Sequence, residues 1–261
     1  MTLWYLGTIG FSYRDWLGAF YPARMPQKGF LPYYSKSFNC VELDTSFHSI
    51  PKPSVVQTWM NFTPNGFKFC LKTPRFITHE LELKGVQGAM SEFIDALQPM
   101  EGKLGPILIQ LPPRFTQERI SLLADFLASL PHNRQFAIEF RHQSWYKSNT
   151  QQLLSKFGVG WVSTDFPNLP KQVYLTANFL YVRWIGVNGM YQRHSFERVD
   201  KTSQLKWWID LLRTYQYNIP AIYGFFNNDY AGFAAGTCKR FKQLAGLEAE
   251  ENEVAHQARL F

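Results

Sequence analysis

The chain has 261 residues, with 27 basic and 20 acidic side chains for a formal charge of +7. Hydrophobic residues make up 46% and charged residues 18%, which excludes disorder as the main state. No run reaches the roughly 18 apolar residues of a membrane helix, and the start, Met1–Leu6, lacks a basic signal-peptide region, so a cytoplasmic protein is expected.

Phe, Tyr and Trp number 23, 13 and 8, or 17% of the chain. That load fits either a heavily packed core or a surface built for stacking. Cys40, Cys70 and Cys238 show no metal-binding spacing and read as buried thiols. The charge is uneven. Residues 1–242 contain 26 basic and 16 acidic residues, a net +10, whereas 243–261 contain Arg259 against Glu248, Glu250, Glu251 and Glu253. A basic body suits an anionic small molecule or a nucleic acid. Solubility charge is the alternative, because no five basic residues run together. One domain over 1–245 is expected, followed by an acidic tail, 246–261.

In chain order, eight short apolar runs recur: Trp4–Ile9, Cys40–Leu43, Phe67–Leu71, Ile107–Ile109, Phe136–Ile138, Val159–Val162, Leu180–Val182 and Ala221–Phe226. They have the aromatic and branched composition of strands buried on both faces. Helix signals lie between them. Pro53 suits a first turn before Val56 and Trp59. Thr116 is placed to cap a stripe of Ile120, Leu123, Phe126, Leu127 and Leu130. Ser148 is placed to cap a segment that Gly158 ends. Thr202 or Ser203 starts a stripe of Leu205, Trp208, Ile209 and Leu212. The spacing averages about 31 residues per unit, the size of a βα repeat. Eight units in about 250 residues predict an α/β fold, a single TIM-type (β/α)8 barrel. It should be irregular around the sixth unit, where Ser163–Pro170 leaves little room for a helix. An open doubly wound sheet is the alternative, but no GxGxxG follows the first strand.

A barrel carries its chemistry at the carboxyl ends of its strands. There this sequence puts Glu42, Lys72, Gln110, Glu139, Arg183 and Asn227. Such groups are costly to bury unless they pair or serve a ligand. They could form an internal ion-pair network that only fills the barrel; a ligand site is the preferred reading. Glu139 and Glu42 are the candidate acid and base, and Lys72 the charge stabiliser. Arg141 and Arg183 form the candidate anion clamp, with His142, His79, Arg75, Gln110, Asn227 and Asn228 as further substrate contacts. Tyr13, Trp16 and Trp145 supply rings for stacking. Residues 186–202, with His194, form a candidate lid, whereas His132 and His256 read as surface residues.

These residues also carry a resemblance. Gly7-Thr8-Ile9-Gly10 with Phe20-Tyr21-Pro22 comes first, then Val41–Phe47, Lys72, Thr78-His79 and Gln110–Pro113. Glu139–His142 with Ser144-Trp145 and Phe225–Asn228 complete the series. In that order they resemble the domain of unknown function 72, or YecE-like, family over roughly residues 3–245. The resemblance implies a TIM-type barrel and no particular reaction. The chain departs from the pattern at His48, where the family has Tyr or Arg. It departs again after Arg183, where Trp184-Ile185-Gly186 replaces a histidine-glycine pair.

The favoured function is an enzyme or binder of a phosphate-bearing substrate, a nucleotide or nucleic acid, and as an enzyme a phosphoester hydrolase. A carbohydrate hydrolase using Glu42 and Glu139, a Schiff-base enzyme using Lys72 and a non-catalytic anion binder are the alternatives. No cofactor is called for. A divalent metal on Glu42, Asp44, Glu139, Asp165, His79 and His142 is a lesser reading, because Lys72, Arg75, Arg141 and Arg183 would oppose the ion.

Overall fold

The computed structural model describes residues 2–100 and 102–247. The glutamates of the expected acidic tail, and His256, lie outside the described residues. The strands are β1 (Leu3–Thr8), β2 (Cys40–Leu43), β3 (Lys68–Leu71), β4 (Ile107–Gln110), β5 (Phe136–Glu139), β6 (Gly160–Trp161), β7 (Ser163–Asp165), β8 (Phe179–Trp184) and β9 (Ala221–Phe226). Every ladder between them is parallel. The hydrogen-bonded orders are β1-β9-β8-β7, β2-β3 and β4-β5-β6. Isolated parallel bridges link Ile9 to Glu42 and Lys72 to Leu108. The fold is therefore mixed α/β with three parallel sheets.

The helices are α1 (Phe30–Tyr34), α2 (Thr45–His48), α3 (Pro53–Asn61), α4 (Gln87–Ala96), α5 (Ile120–Ala128), α6 (Ser148–Phe157), α7 (Thr202–Arg213), α8 (Asn228–Ala231) and α9 (Ala234–Leu244). None is long and apolar enough to cross a membrane. The sixth apolar run is the irregular one. It breaks at Val162, so that β6 pairs with β5 and β7 with β8, and residues 166–178 hold no helix.

Two helix starts differ from expectation. The α5 helix follows a 3-10 turn, Gln117–Arg119, and the Thr116 side chain makes no cap bond. Instead Ser144 Oγ accepts the Gln117 N–H at 3.0 Å. Ser148 lies inside α6 with Lys147 at the cap position, while Gly158 ends the helix in the left-handed region, φ 63°.

Side chains alternate across each strand, and the alternation divides the core in two. Leu43, Ile109, Ile138, Leu180 and Val182 join the large cluster that also takes up helix residues such as Leu123, Trp208 and Phe241. Cys40, Cys70, Leu108, Ala137, Tyr181, Tyr223 and Phe225 form a second, inner cluster. The next inner-facing positions along these strands, two residues on, are Glu42, Lys72, Gln110, Glu139, Arg183 and Asn227. The polar layer is thus a direct consequence of strand periodicity.

Close backbone approach fixes two glycines. A Cβ on Gly7 would lie 2.0 Å from the Cys40 carbonyl oxygen of β2. One on Gly186 would lie 1.7 Å from the Asp229 carbonyl oxygen. No larger side chain fits either place without moving the backbone.

Candidate functional site

Arg183 is the hub of the polar layer. It reaches the inner face from β8 and is only 3% exposed. Its Nη2 donates to Glu42 Oε1 at 2.7 Å, and its Nη1 donates to Glu139 Oε2. Tyr181, two residues earlier on the same face, donates its hydroxyl to Glu42 Oε2 at 2.8 Å. Arg141 pairs with Glu139 Oε1 and lies over the Phe166 ring, 4.5 Å from its centroid. Glu42 and Glu139 are both fully buried, with both oxygens of each engaged by these partners.

The two carboxyls sit in opposed electrostatic environments. Burial pushes Glu42 up to about 7, and Arg183 only partly offsets it. Burial also opposes ionisation of Glu139, but Arg141 and Arg183 together hold its carboxyl below the ordinary range. One arginine is shared unequally: Glu139 has a second cation and Glu42 has a phenol.

Lys72 directly follows β3 beside this network. Its Nζ stands 4.0 Å from Asp44 Oδ1 and 4.0 Å from the centroid of Phe47, and it makes no hydrogen bond to a described residue. Asp44 Oδ1 is itself buried without a hydrogen-bond partner. Burial lowers the Lys72 pKa, and Arg183 adds to the effect. His79 lies on a π-helical turn, Phe76–Glu80, with its ring edge-on to Phe47 at 5.0 Å. Burial lowers it to about 4, aided by Lys72, Arg114, Arg75 and Arg141, so its imidazole is neutral at physiological pH. Irregular helical turns of this kind occur often at functional sites.

Other expected contacts have structural work instead. Trp16 and Trp145 are both 0% exposed, which removes them as stacking surfaces. Trp16 Nε1 donates to Asn228 Oδ1 at 3.2 Å, and Trp145 Nε1 to the Phe115 carbonyl at 2.7 Å. Buried rings need such partners for their N–H groups. Asn228 is buried and also accepts the Ala234 N–H, holding the start of α9. Asn227 caps α8 by accepting the Asp229 N–H at 2.8 Å. Gln110 is buried and donates to the Leu111 carbonyl. His142 is exposed and bonded to Ser144, while Arg75 is exposed and paired with Glu80 at 3.5 Å. Tyr13 is half-buried and donates its hydroxyl to the Ile9 carbonyl at 2.6 Å.

Glu42, Lys72, Glu139, Arg141, Arg183 and His79 therefore come together, whereas the tryptophans and asparagines build the walls. Phe47, Tyr181 and Phe166 also belong to the site and lie outside the expected set, while Asp44, expected only as a metal ligand, stands beside Lys72. Tyr181 was legible as the inner-facing residue two before Arg183; the two phenylalanines carry no sequence signal beyond position. The expected lid is fastened down. Asp229 accepts the Gly189 N–H at 3.1 Å and the Tyr191 N–H at 3.4 Å, and Asp15 accepts the His194 N–H at 3.1 Å. Among the described residues no three His, Cys, Asp or Glu side chains form a metal-holding group. A cavity of about 360 Å³ lies at the opposite end of the strands, around Phe136, Val159 and Asn178, away from this chemistry.

Known proteins bear on the same region. A family model described as "Protein of unknown function DUF72" matches residues 5–259. The chain is 29% identical to the UPF0759 protein YecE of Escherichia coli (strain K12) over 199 residues, 67% of this chain and 73% of that protein. It is 25% identical to the UPF0759 protein YunF of Bacillus subtilis (strain 168), covering 94% of this chain and 95% of that one. A crystal structure of a DUF72 family protein from Thermotoga maritima MSB8 superposes with a TM-score of 0.81 at 30% identity, covering 94% of this chain and 99% of that one.

Proposed function

The chain belongs to the DUF72 family, and we propose that its polar layer is the floor of a site for a small phosphate- or carboxylate-bearing substrate. In this reading the three sheets close into one (β/α)8 barrel, 1–245, with the site at its carboxyl-end mouth. The bridges Ile9–Glu42 and Lys72–Leu108 and the unbroken chain between β6 and β7 support closure.

One observation carries the function. Arg141 is anchored through Nε to Glu139 and through its face to Phe166, yet its two Nη groups make no hydrogen bond to a described residue. An arginine so oriented presents a fixed fork to an oxyanion. Lys72 adds a second basic group, which is not hydrogen-bonded to the Asp44 carboxylate 4.0 Å away. Both act on His79 electrostatically, so they share one locality. Glu139 and Glu42 position the two arginines, and Asp44 beside Lys72 serves as the acid–base group.

A small anion is favoured over a nucleic acid, because two of the three rings expected to stack bases, Trp16 and Trp145, are buried. It also weighs against glycoside cleavage. Arg183 fills the space between Glu42 and Glu139, where a glycosidic bond would have to lie.

Titration calorimetry with inorganic phosphate, AMP and citrate tests the reading. Binding of at least one is expected, weakened about tenfold or more in Arg141→Met, the loss typical of one charge-assisted contact. Equal affinity in the variant would overturn the assignment. A steep salt dependence with oligonucleotides, exceeding that for AMP, would favour the nucleic-acid reading instead.

A further inference from the structure

We propose that Lys72 is an imine-forming nucleophile, and that the substrate of this site is an aldehyde or ketone bearing an anionic group. The inference rests on the proposed mouth being the functional site, and it names the reacting bond. Two polar atoms face each other there without hydrogen-bond partners. Lys72 Nζ bonds to no described residue, and Asp44 Oδ1 is buried and equally unbonded, 4.0 Å away. That separation is too long for a hydrogen bond. It suits the hydroxyl of a tetrahedral adduct placed between them.

The surroundings meet the needs of an amine nucleophile. A lysine attacks a carbonyl only as the free amine, so burial and neighbouring positive charge activate it. Lys72 is 9% exposed and lies against Phe47; burial lowers its pKa and Arg183 adds to this, against the opposing pull of Asp44, Glu139 and Glu42. It remains reachable, with 11% of its side chain exposed. A structural lysine in this layer would be expected to close on a carboxylate, as Arg183 does on two.

The step balances without a redox partner. The Nζ lone pair attacks the carbonyl carbon, and the C=O electron pair moves to oxygen. The proton lost from nitrogen passes to the Asp44 carboxylate and then to the oxygen, giving a neutral carbinolamine. The second proton of the nitrogen then passes by way of the Asp44 carboxylate to the carbinolamine hydroxyl, which leaves as water while nitrogen forms the C=N bond. Amine plus carbonyl thus gives imine plus water. Arg141 would hold the substrate's phosphate or carboxylate.

Trapping tests this in the full chain. The protein is incubated with dihydroxyacetone phosphate, pyruvate or uncharged glyceraldehyde, reduced with borohydride, and mapped by peptide mass spectrometry. The expected result is an adduct at Lys72 with an anionic compound, in clear excess over any exposed lysine, since a lowered pKa leaves more free amine. Asp44→Asn should slow trapping at an unchanged site. Adduct spread evenly over exposed lysines, or none at Lys72 with any of the three, overturns the proposal. Phosphate calorimetry on the same preparation separates the two readings. Bound phosphate without an adduct removes the imine alone. An adduct at Lys72 equal for glyceraldehyde and dihydroxyacetone phosphate keeps the imine and removes the anion requirement.

Discussion

Arg183 and Glu42 meet inside the sheets with Nη2 2.7 Å from Oε1, and neither is more than 3% exposed. The same guanidinium also holds Glu139. Removing the shared cation leaves two carboxylates buried without it. Arg183→Met should therefore destabilise the fold by roughly 3–5 kcal/mol, the usual cost of breaking a buried pair from one side. Adding Glu42→Gln to that variant should recover part of the loss. Urea unfolding of the single and double variants measures both. Equal stability of Arg183→Met and the parent would show that the network contributes nothing.

Glu42 gives stability a pH signature. Its folded carboxyl titrates at about 7 against an ordinary 4.5. Between these values the folded state holds a proton that the unfolded state has released, so stability falls as pH rises through that window. Glu139 has the opposite sign. Its folded pKa lies below the ordinary value, so its contribution is lost as pH falls through the acid range. Glu42→Gln should flatten the decline between about pH 4.5 and 7, and Glu139→Gln should flatten the acid-side loss. Chemical denaturation across pH 4–8 reads both slopes. A Glu42→Gln profile parallel to the parent's would mean that Glu42 stays ionised in the fold.

Trp145 packs parallel to Phe140 and Phe115, with centroids 4.5 and 5.8 Å away. Trp145→Ala should cost about 3–5 kcal/mol through cavity formation. In the folded protein at low temperature, anion affinity should change by less than about twofold, below the 1.4 kcal/mol that a tenfold change represents. Loss of ligand binding at unchanged stability would return this ring to the binding surface.

The approach of β1 to β2 depends on Gly7. Gly7→Ala places a methyl group against the Cys40 carbonyl and should destabilise by at least about 1–3 kcal/mol, the cost of overpacking. Thermal unfolding of Gly7→Ala beside Gly88→Ala, where a Cβ meets nothing within 4 Å, isolates the steric effect. Similar melting points for the two would show that the strands can separate freely at Gly7.

The sequence alone located the apolar runs behind every strand except Ser163–Asp165, and the identity of the polar layer. Buried parallel strands are short apolar runs, and their two-residue period puts Glu42, Lys72, Glu139 and Arg183 on one face. It also marked the sixth unit as irregular, because Pro167 and Pro170 leave no length for a helix. Only the tertiary structure decided which of these residues pair. The ion pairs join β2, β5 and β8, over a hundred residues apart in the case of Glu42 and Arg183, and nothing local encodes such distances. It also decided the fate of the aromatic excess. A tryptophan in a loop next to polar residues reads the same whether it faces solvent or folds inward, and burial of Trp16 and Trp145 depends on neighbours contributed by other segments, Asn228 and Phe115. What set Lys72 apart was likewise invisible along the chain: the lack of a hydrogen-bonded partner is a property of the assembled layer.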